Sequence, residues 1–168
     1  VPPRGGRTQV MAILSKVASP APSEGRGPAD LTGAIDRVGA LSQRRGFVAV
    51  ISDFAGSAWV DPLARLGIRH DLLAITVSDP REHDVPPIGL VEMVDPATGA
   101  AREVRVTASV QRRFAELAAA RAEERRRGLR RAGAELIELS TGDDWLGAIV
   151  SHVHRRRRQA VRGDTLRR

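Results

Sequence analysis

Apolar residues recur at helical spacing in Thr8 to Val17, where Val10, Ile13, Leu14 and Val17 form one stripe, and a Pro/Gly/Ser-rich stretch follows from Ser19 to Pro28. Asp30 precedes a second stripe, Leu31, Ile35, Val38 and Leu41, so the pattern predicts a helix capped by Asp30 and ending near Arg45-Gly46. The period then changes. Phe47 to Ile51 is an unbroken apolar run closed by Ser52-Asp53, which reads as a strand of a parallel sheet buried on both faces. Ser57 to Leu66 predicts a short helix stopped by Gly67, and Asp71 to Ser78 a second apolar, β-branched strand ending at Asp79-Pro80. Leu90 to Val94 and Arg102 to Val106 flank Asp95-Pro96-Ala97-Thr98-Gly99, the composition of a hairpin turn with Gly99 in the left-handed position. A long charged helix is expected over Ser109 to Ala132. Val110, Phe114 and Leu117 would face inward, Glu123 would pair with Arg127, and Gly133 would be the stop. A third strand over Ala134 to Leu139 precedes a last helix carrying Trp145, Leu146, Ile149 and Val153, capped by Thr141 or Asp143.

Strands that alternate with helices imply right-handed crossovers and a parallel sheet, hence an α/β, doubly wound, Rossmann-type architecture with a β-hairpin insertion. Such a sheet grows outward from a central strand. Three strands are few for it, and the chain opens at Val1 in loop composition, so further N-terminal strands are expected to be missing from this sequence. Both parallel strands deliver a carboxylate, Asp53 and Asp79, to the edge where sheets of this kind bind ligands.

Composition narrows the chemistry. The 168 residues, 42% hydrophobic and 28% charged, suit one folded domain, and the absence of cysteine excludes disulfides, thiolate metal sites and thiol nucleophiles. Neither a signal peptide nor a membrane-spanning run is apparent, which makes the cytoplasm the expected compartment. The net charge is +7, but seven arginines against the single acid Asp164 lie between His152 and Arg168, leaving the body nearly neutral. With three Phe, two Trp and no Tyr, the chain is also poor in stacking platforms, so specific nucleic-acid binding is not the expected function.

No phosphate loop, dinucleotide fingerprint, HExxH or GxSxG motif occurs. Among the histidines, His70 stands at a strand entrance opposite Asp53 and reads as a surface or interface residue. His152 and His154 sit two apart beside the arginine run, which disfavours a metal. Ser52 and Asp53 offer oxygens that suit a hard cation such as Mg²⁺, yet one carboxylate makes no site, and Ala55 stands where a phosphotransferase-type second Asp would be. Metal contact and a loop-fixing or helix-capping role for Asp53 both remain open.

The ordered series Arg45-Gly46-Phe47-Val48-Ala49-Val50-Ile51-Ser52-Asp53-Phe54, Arg69-His70-Asp71-Leu72-Leu73-Ala74-Ile75, Asp79-Pro80-Arg81-Glu82, Pro86-Pro87-Ile88-Gly89, Asp95-Pro96-Ala97-Thr98-Gly99 and Leu139-Ser140-Thr141 resembles the C-terminal part of the "domain of unknown function 58" family. That family is von Willebrand factor A-like and is usually encoded beside MoxR-type AAA+ ATPases. The resemblance implies a metal-ion-dependent adhesion site drawing on a first-strand DxSxS, a Thr before a helix and an Asp after the fourth strand. Asp53 matches the last of these, Ala29 stands at the Thr position, and the DxSxS element is not in this chain, so Mg²⁺ is implied for a longer parent protein.

The implied organisation is a helix and loop over 1–28, the von Willebrand factor A-like part over 29–154 and an Arg-rich tail over 155–168. The implied function is that of a non-enzymatic adaptor that works with a MoxR-type ATPase on an unknown client protein, meeting partners through Ser52, Asp53 and Asp79. Self-association through an exposed strand edge accompanies that expectation. An Asp53-dependent, metal-assisted hydrolase is the alternative, and a basic nucleic-acid-binding module the second alternative.

Overall fold

A computed structural model describes residues 5–19, 30–82, 86, 89–94 and 98–165, the side chains of residue 157 and of 159–165 excepted. His83, the end of Pro86-Pro87-Ile88-Gly89 before Gly89, Ala29 and the Asp95-Pro96-Ala97 turn residues lie outside them. The chain divides into two compact units, residues 1–29 with 93–102, and residues 30–92 with 103–168.

In the first unit, helix α1 (Arg7–Ala18) forms where the apolar stripe predicts it, but Val10, Ile13, Leu14 and Val17 are all exposed. Strands β3 (Leu90–Val94) and β4 (Ala101–Arg105), through which the division runs, pair as a two-stranded sheet, and Gly99 takes a φ of +71° in its turn.

The larger unit is built on three parallel strands in the order β1 (Phe47–Ile51), β2 (Asp71–Ser78), β5 (Glu135–Ser140). Parity along the strands sorts their side chains. Val48 and Val50, Leu72 and Ala74, and Leu136 point to one face. There they meet Ile35 of α2 (Leu31–Leu41), Leu63 and Leu66 of α3 (Val60–Gly67), Trp59 before it, and Leu129 of α4 (Ala108–Arg131). Leu73, Ile75, Ile137 and Leu139 point to the other face, which receives Ile149 of α5 (Trp145–Thr165). Helices therefore cover both faces, as an α/β parallel sheet requires. Trp59, Leu63 and Leu129 are its most completely buried large side chains.

Helix ends follow local chemistry. The Asp30 carboxylate accepts from Gly33 N at 2.8 Å, and the Thr107 hydroxyl accepts from Val110 N at 3.4 Å. Gly133, with φ +69°, closes α4 while its N–H and that of Ala134 return to the carbonyls of Arg130 and Leu129.

Several expectations are corrected. β1 is not buried on both faces but is an edge strand, in keeping with the expectation of an exposed strand edge: Phe47 and Ile51 are 54% and 70% exposed, because only β2 flanks it among the described residues, and the Arg156 guanidinium stacks on the Phe47 ring, 4.8 Å away. The strand buried on both faces is β2. α2 stops at Leu41, which is exposed, and α3 begins at Val60 after a turn closed by Val60 N donating to Ser57 O. On α4 the inward stripe moves toward the C-terminus. Ala122, Gly128 and Leu129 are buried, Phe114 is half-buried, and Val110 and Leu117 are exposed, since α4 reaches the core only in its second half. Glu123 pairs with Arg126 and Arg130 rather than with Arg127. The cap of α5 is Asp144, whose Oδ1 accepts from Gly147 N at 2.9 Å; Thr141 is engaged elsewhere, and Trp145, Leu146 and Val153 are exposed. α5 runs as one helix through Thr165; Arg156 pairs with Glu135 of β5, while Arg155 bonds His152 within the helix.

Candidate functional site

Parallel pairing sets the geometry of the candidate site. Ile51 lies opposite Ile75 and Ser78 opposite Ser140, so the segments leaving β1, β2 and β5 emerge at the same end of the sheet. The ladder continues a step past the strands, with Ser52 N donating to Ile75 O at 3.1 Å and Thr141 N to Ser78 O at 3.0 Å.

After β1 the chain turns sharply. The Ser52 hydroxyl accepts from Phe54 N at 3.1 Å, and Asp53 Oδ1 accepts from Ala55 N at 3.2 Å and from the Ser52 hydroxyl at 3.3 Å. Phe54 follows with φ +52°, the only non-glycine residue of the described chain in the left-handed region. A phenylalanine held there is strained, and strain persists only where the surroundings over-determine it. Here they do. Phe54 is buried and meets Trp59 edge-on at 5.1 Å between ring centroids, while Trp59 Nε1 donates to Phe54 O at 3.1 Å and to Gly56 O at 2.9 Å.

After β2, Asp79 Oδ1 accepts from Arg81 N at 2.9 Å and Oδ2 from the Thr141 hydroxyl at 2.8 Å, while Asp79 N donates to Glu82 Oε1 at 3.3 Å. The Arg81 amide above all, then the Thr141 hydroxyl and the Arg81 charge, hold the Asp79 carboxyl below its usual range. Both strand-end carboxylates thus serve as fixtures of their own turns, which is the loop-fixing reading of Asp53. Sequence reasoning missed Thr141 and Trp59. Thr141 shows as the partner of Asp79 only once the β2–β5 register is known, and Trp59 looks in sequence like any helix-start aromatic.

The fit to a divalent cation is poor. Asp53 spends one oxygen on its own turn, and among the described residues no three His, Asp or Glu side chains gather closely enough to hold a metal ion.

The histidines lie away from this edge. His70 is buried, correcting its reading as a surface residue. Its Nε2 meets Ser42 O at 3.1 Å, pinning the end of α2 beside the strand entrance. His152 is buried as well, with Nε2 3.5 Å from Glu135 Oε2 and Nδ1 3.1 Å from the Arg155 guanidinium, so it seats α5 on β5 instead of facing solvent with the arginines. His154 is exposed. No helix among the described residues is long and apolar enough to cross a membrane.

Comparison with known proteins places these elements in a family. The chain is 40% identical over 166 residues to "Uncharacterized protein MAV169" of Mycobacterium avium, covering 97% of both chains. It is equally similar to "Uncharacterized protein Rv1480" of Mycobacterium tuberculosis and "Uncharacterized protein Mb1516" of Mycobacterium bovis, of which it covers 52%, so it spans about half the length of those two relatives. No solved structure matches. Residues 1–125 match the family described as "Protein of unknown function DUF58", and the chain belongs to that family.

Proposed function

We propose that this chain is part of a non-enzymatic interaction module of von Willebrand factor A type, and that the strand-end edge carrying Ser52, Asp53 and Asp79 docks a MoxR-type AAA+ ATPase acting on a client protein. The observation that carries this reading is the hydrogen bonding that fixes the edge. Asp53 and Asp79 are both committed to backbone amides of their own turns, and the strained Phe54 is clamped by Trp59. A pre-ordered loop loses little entropy when it binds. Neither carboxylate is paired with a His or a second acid in the way a proton-transfer pair would be, whereas both present charge at a fixed place to a partner's basic side chains or to a bridging cation.

The test is direct binding of a purified MoxR-type ATPase, measured by biolayer interferometry with the immobilised chain. Asp53→Ala and Asp79→Ala are each expected to weaken binding about tenfold or more, the loss typical of a well-placed interface residue. Equal binding by the double variant would remove the edge from the interface. A hydrolytic activity lost in Asp53→Ala would replace the adaptor reading by the enzymatic one.

A further inference from the structure

On the face of the sheet covered by α2, α3 and α4, the apolar rung Ala74 and Leu136 is followed by two polar rungs, Thr76 opposite Glu138 and then Ser78 opposite Ser140. Parallel sheets are ordinarily apolar under a covering helix. Here a cleft of about 220 Å³ opens between those rungs and α4, roofed by Arg125 and Arg126. The two guanidinium groups differ in state. Arg126 is saturated by Glu138, with Nε 3.1 Å from each carboxylate oxygen, and its charge is further stabilised by that bond. Arg125 is 20% exposed and makes no hydrogen bond among the described residues. Its charged contact among the described residues is Glu138 at 3.7 Å, and its Nε is shut off from solvent with no acceptor among them. A guanidinium whose Nε–H is shut off from solvent with no acceptor among the described residues calls for an oxygen that those residues do not supply.

We infer that this cleft is a binding site for a carboxylate group, seated on Arg125 and on the hydroxyls of Thr76 and Ser140; the Ser78 hydroxyl already donates to Leu139 O at 3.4 Å. The charges admit at most a monoanion: Arg125 and Arg126 are balanced by Glu138 and Asp143, Glu138 being held chiefly by Arg126, so a more highly charged ligand would be repelled. A planar carboxylate also matches the guanidinium fork. The site lies at the carboxyl ends of β2 and β5, where α/β sheets receive ligands, and it does not depend on the ATPase partner proposed above. The group can come from a free small acid or from a side chain of a polypeptide.

The experiment is an NMR titration of the whole chain that follows the Arg125 Nε–H resonance, assigned by its loss in Arg125→Lys. Acetate is the first probe, and a blocked Gly-Glu-Gly peptide the second. Saturable shifts with acetate alone identify a free small acid, and shifts with both identify a carboxylate on a polypeptide. Thr76→Val is expected to weaken binding. Glu138→Gln, which releases Arg126, and Asp143→Asn, which removes the rim charge, are each expected to tighten it about threefold. Arg158→Ala, on the exposed helix surface, is expected to change nothing. If neither probe shifts the resonance saturably, or if Asp143→Asn and Glu138→Gln both leave an observed shift unaltered, the cleft is no carboxylate site.

Discussion

The Thr141 hydroxyl donates to Asp79 Oδ2 at 2.8 Å and so ties the end of β5 to the end of β2 across 62 positions of sequence. With the amide of Arg81 on the other oxygen, this bond favours the ionised carboxylate in the folded chain.

Because the Asp79 carboxyl titrates lower folded than unfolded, its contribution to stability is complete above the ordinary carboxylate range and is lost as the pH falls through its folded value. Thr141→Val should move the Asp79 titration, followed by the carboxyl carbon resonance, part of the way back to the ordinary value, since the Arg81 amide remains. It should also flatten the acid limb of the stability curve. An unchanged titration would mean that the hydroxyl bonds water in solution.

Trp59→Phe keeps an aromatic ring against Phe54 but removes the Nε1 donor shared by Phe54 O and Gly56 O. We expect a loss of about 1–3 kcal/mol in denaturant unfolding, the cost of leaving buried acceptors unpaired. Amide exchange should also speed up across Phe54 to Gly56. A variant with wild-type exchange there would show that packing alone holds the left-handed Phe54.

Two helical glycines should respond to alanine with opposite signs. A Cβ on Gly128 would stand 2.8 Å from Trp59 Cη2 and 3.0 Å from Val60 Cγ2, so Gly128→Ala overpacks the core and should cost about 1–3 kcal/mol despite the better helix propensity. At Gly39 the nearest atom, Leu66 Cδ1, is 3.7 Å away, and Gly39→Ala should stabilise by up to about 1 kcal/mol. Urea melts of both variants decide the matter; a stable Gly128→Ala protein would mean that α4 can retreat from Trp59.

The outer edge of β1 should make the chain self-associate. Phe47 and Ile51 are exposed beside unpaired backbone groups, and the strand carries no lysine, proline or bulge to blunt it. Sedimentation velocity should show concentration-dependent oligomers that Ala49→Lys reduces. A monodisperse wild-type monomer would mean that the edge is protected.

Sequence alone determined the kinds of element and their stops. The Asp30 cap, the Gly133 stop, the left-handed Gly99 and the apolar runs of β1, β2 and β5 are each fixed by residues within a turn of one another, and their order already required a parallel sheet. Which strand lies in the middle was not legible. Phe47 to Ile51 and Asp71 to Ser78 have the same apolar character; an exposed edge at the first was expected from the missing strands, but only the strand order made the second the buried centre. Asp53 and Asp79 could be placed at one end of the sheet from the strands alone, but their partners could not. Thr141 and the Glu138 clamp on Arg126 depend on register and on the side of the sheet that α4 crosses. Those are settled by the sum of many distant contacts and leave no mark on neighbouring residues.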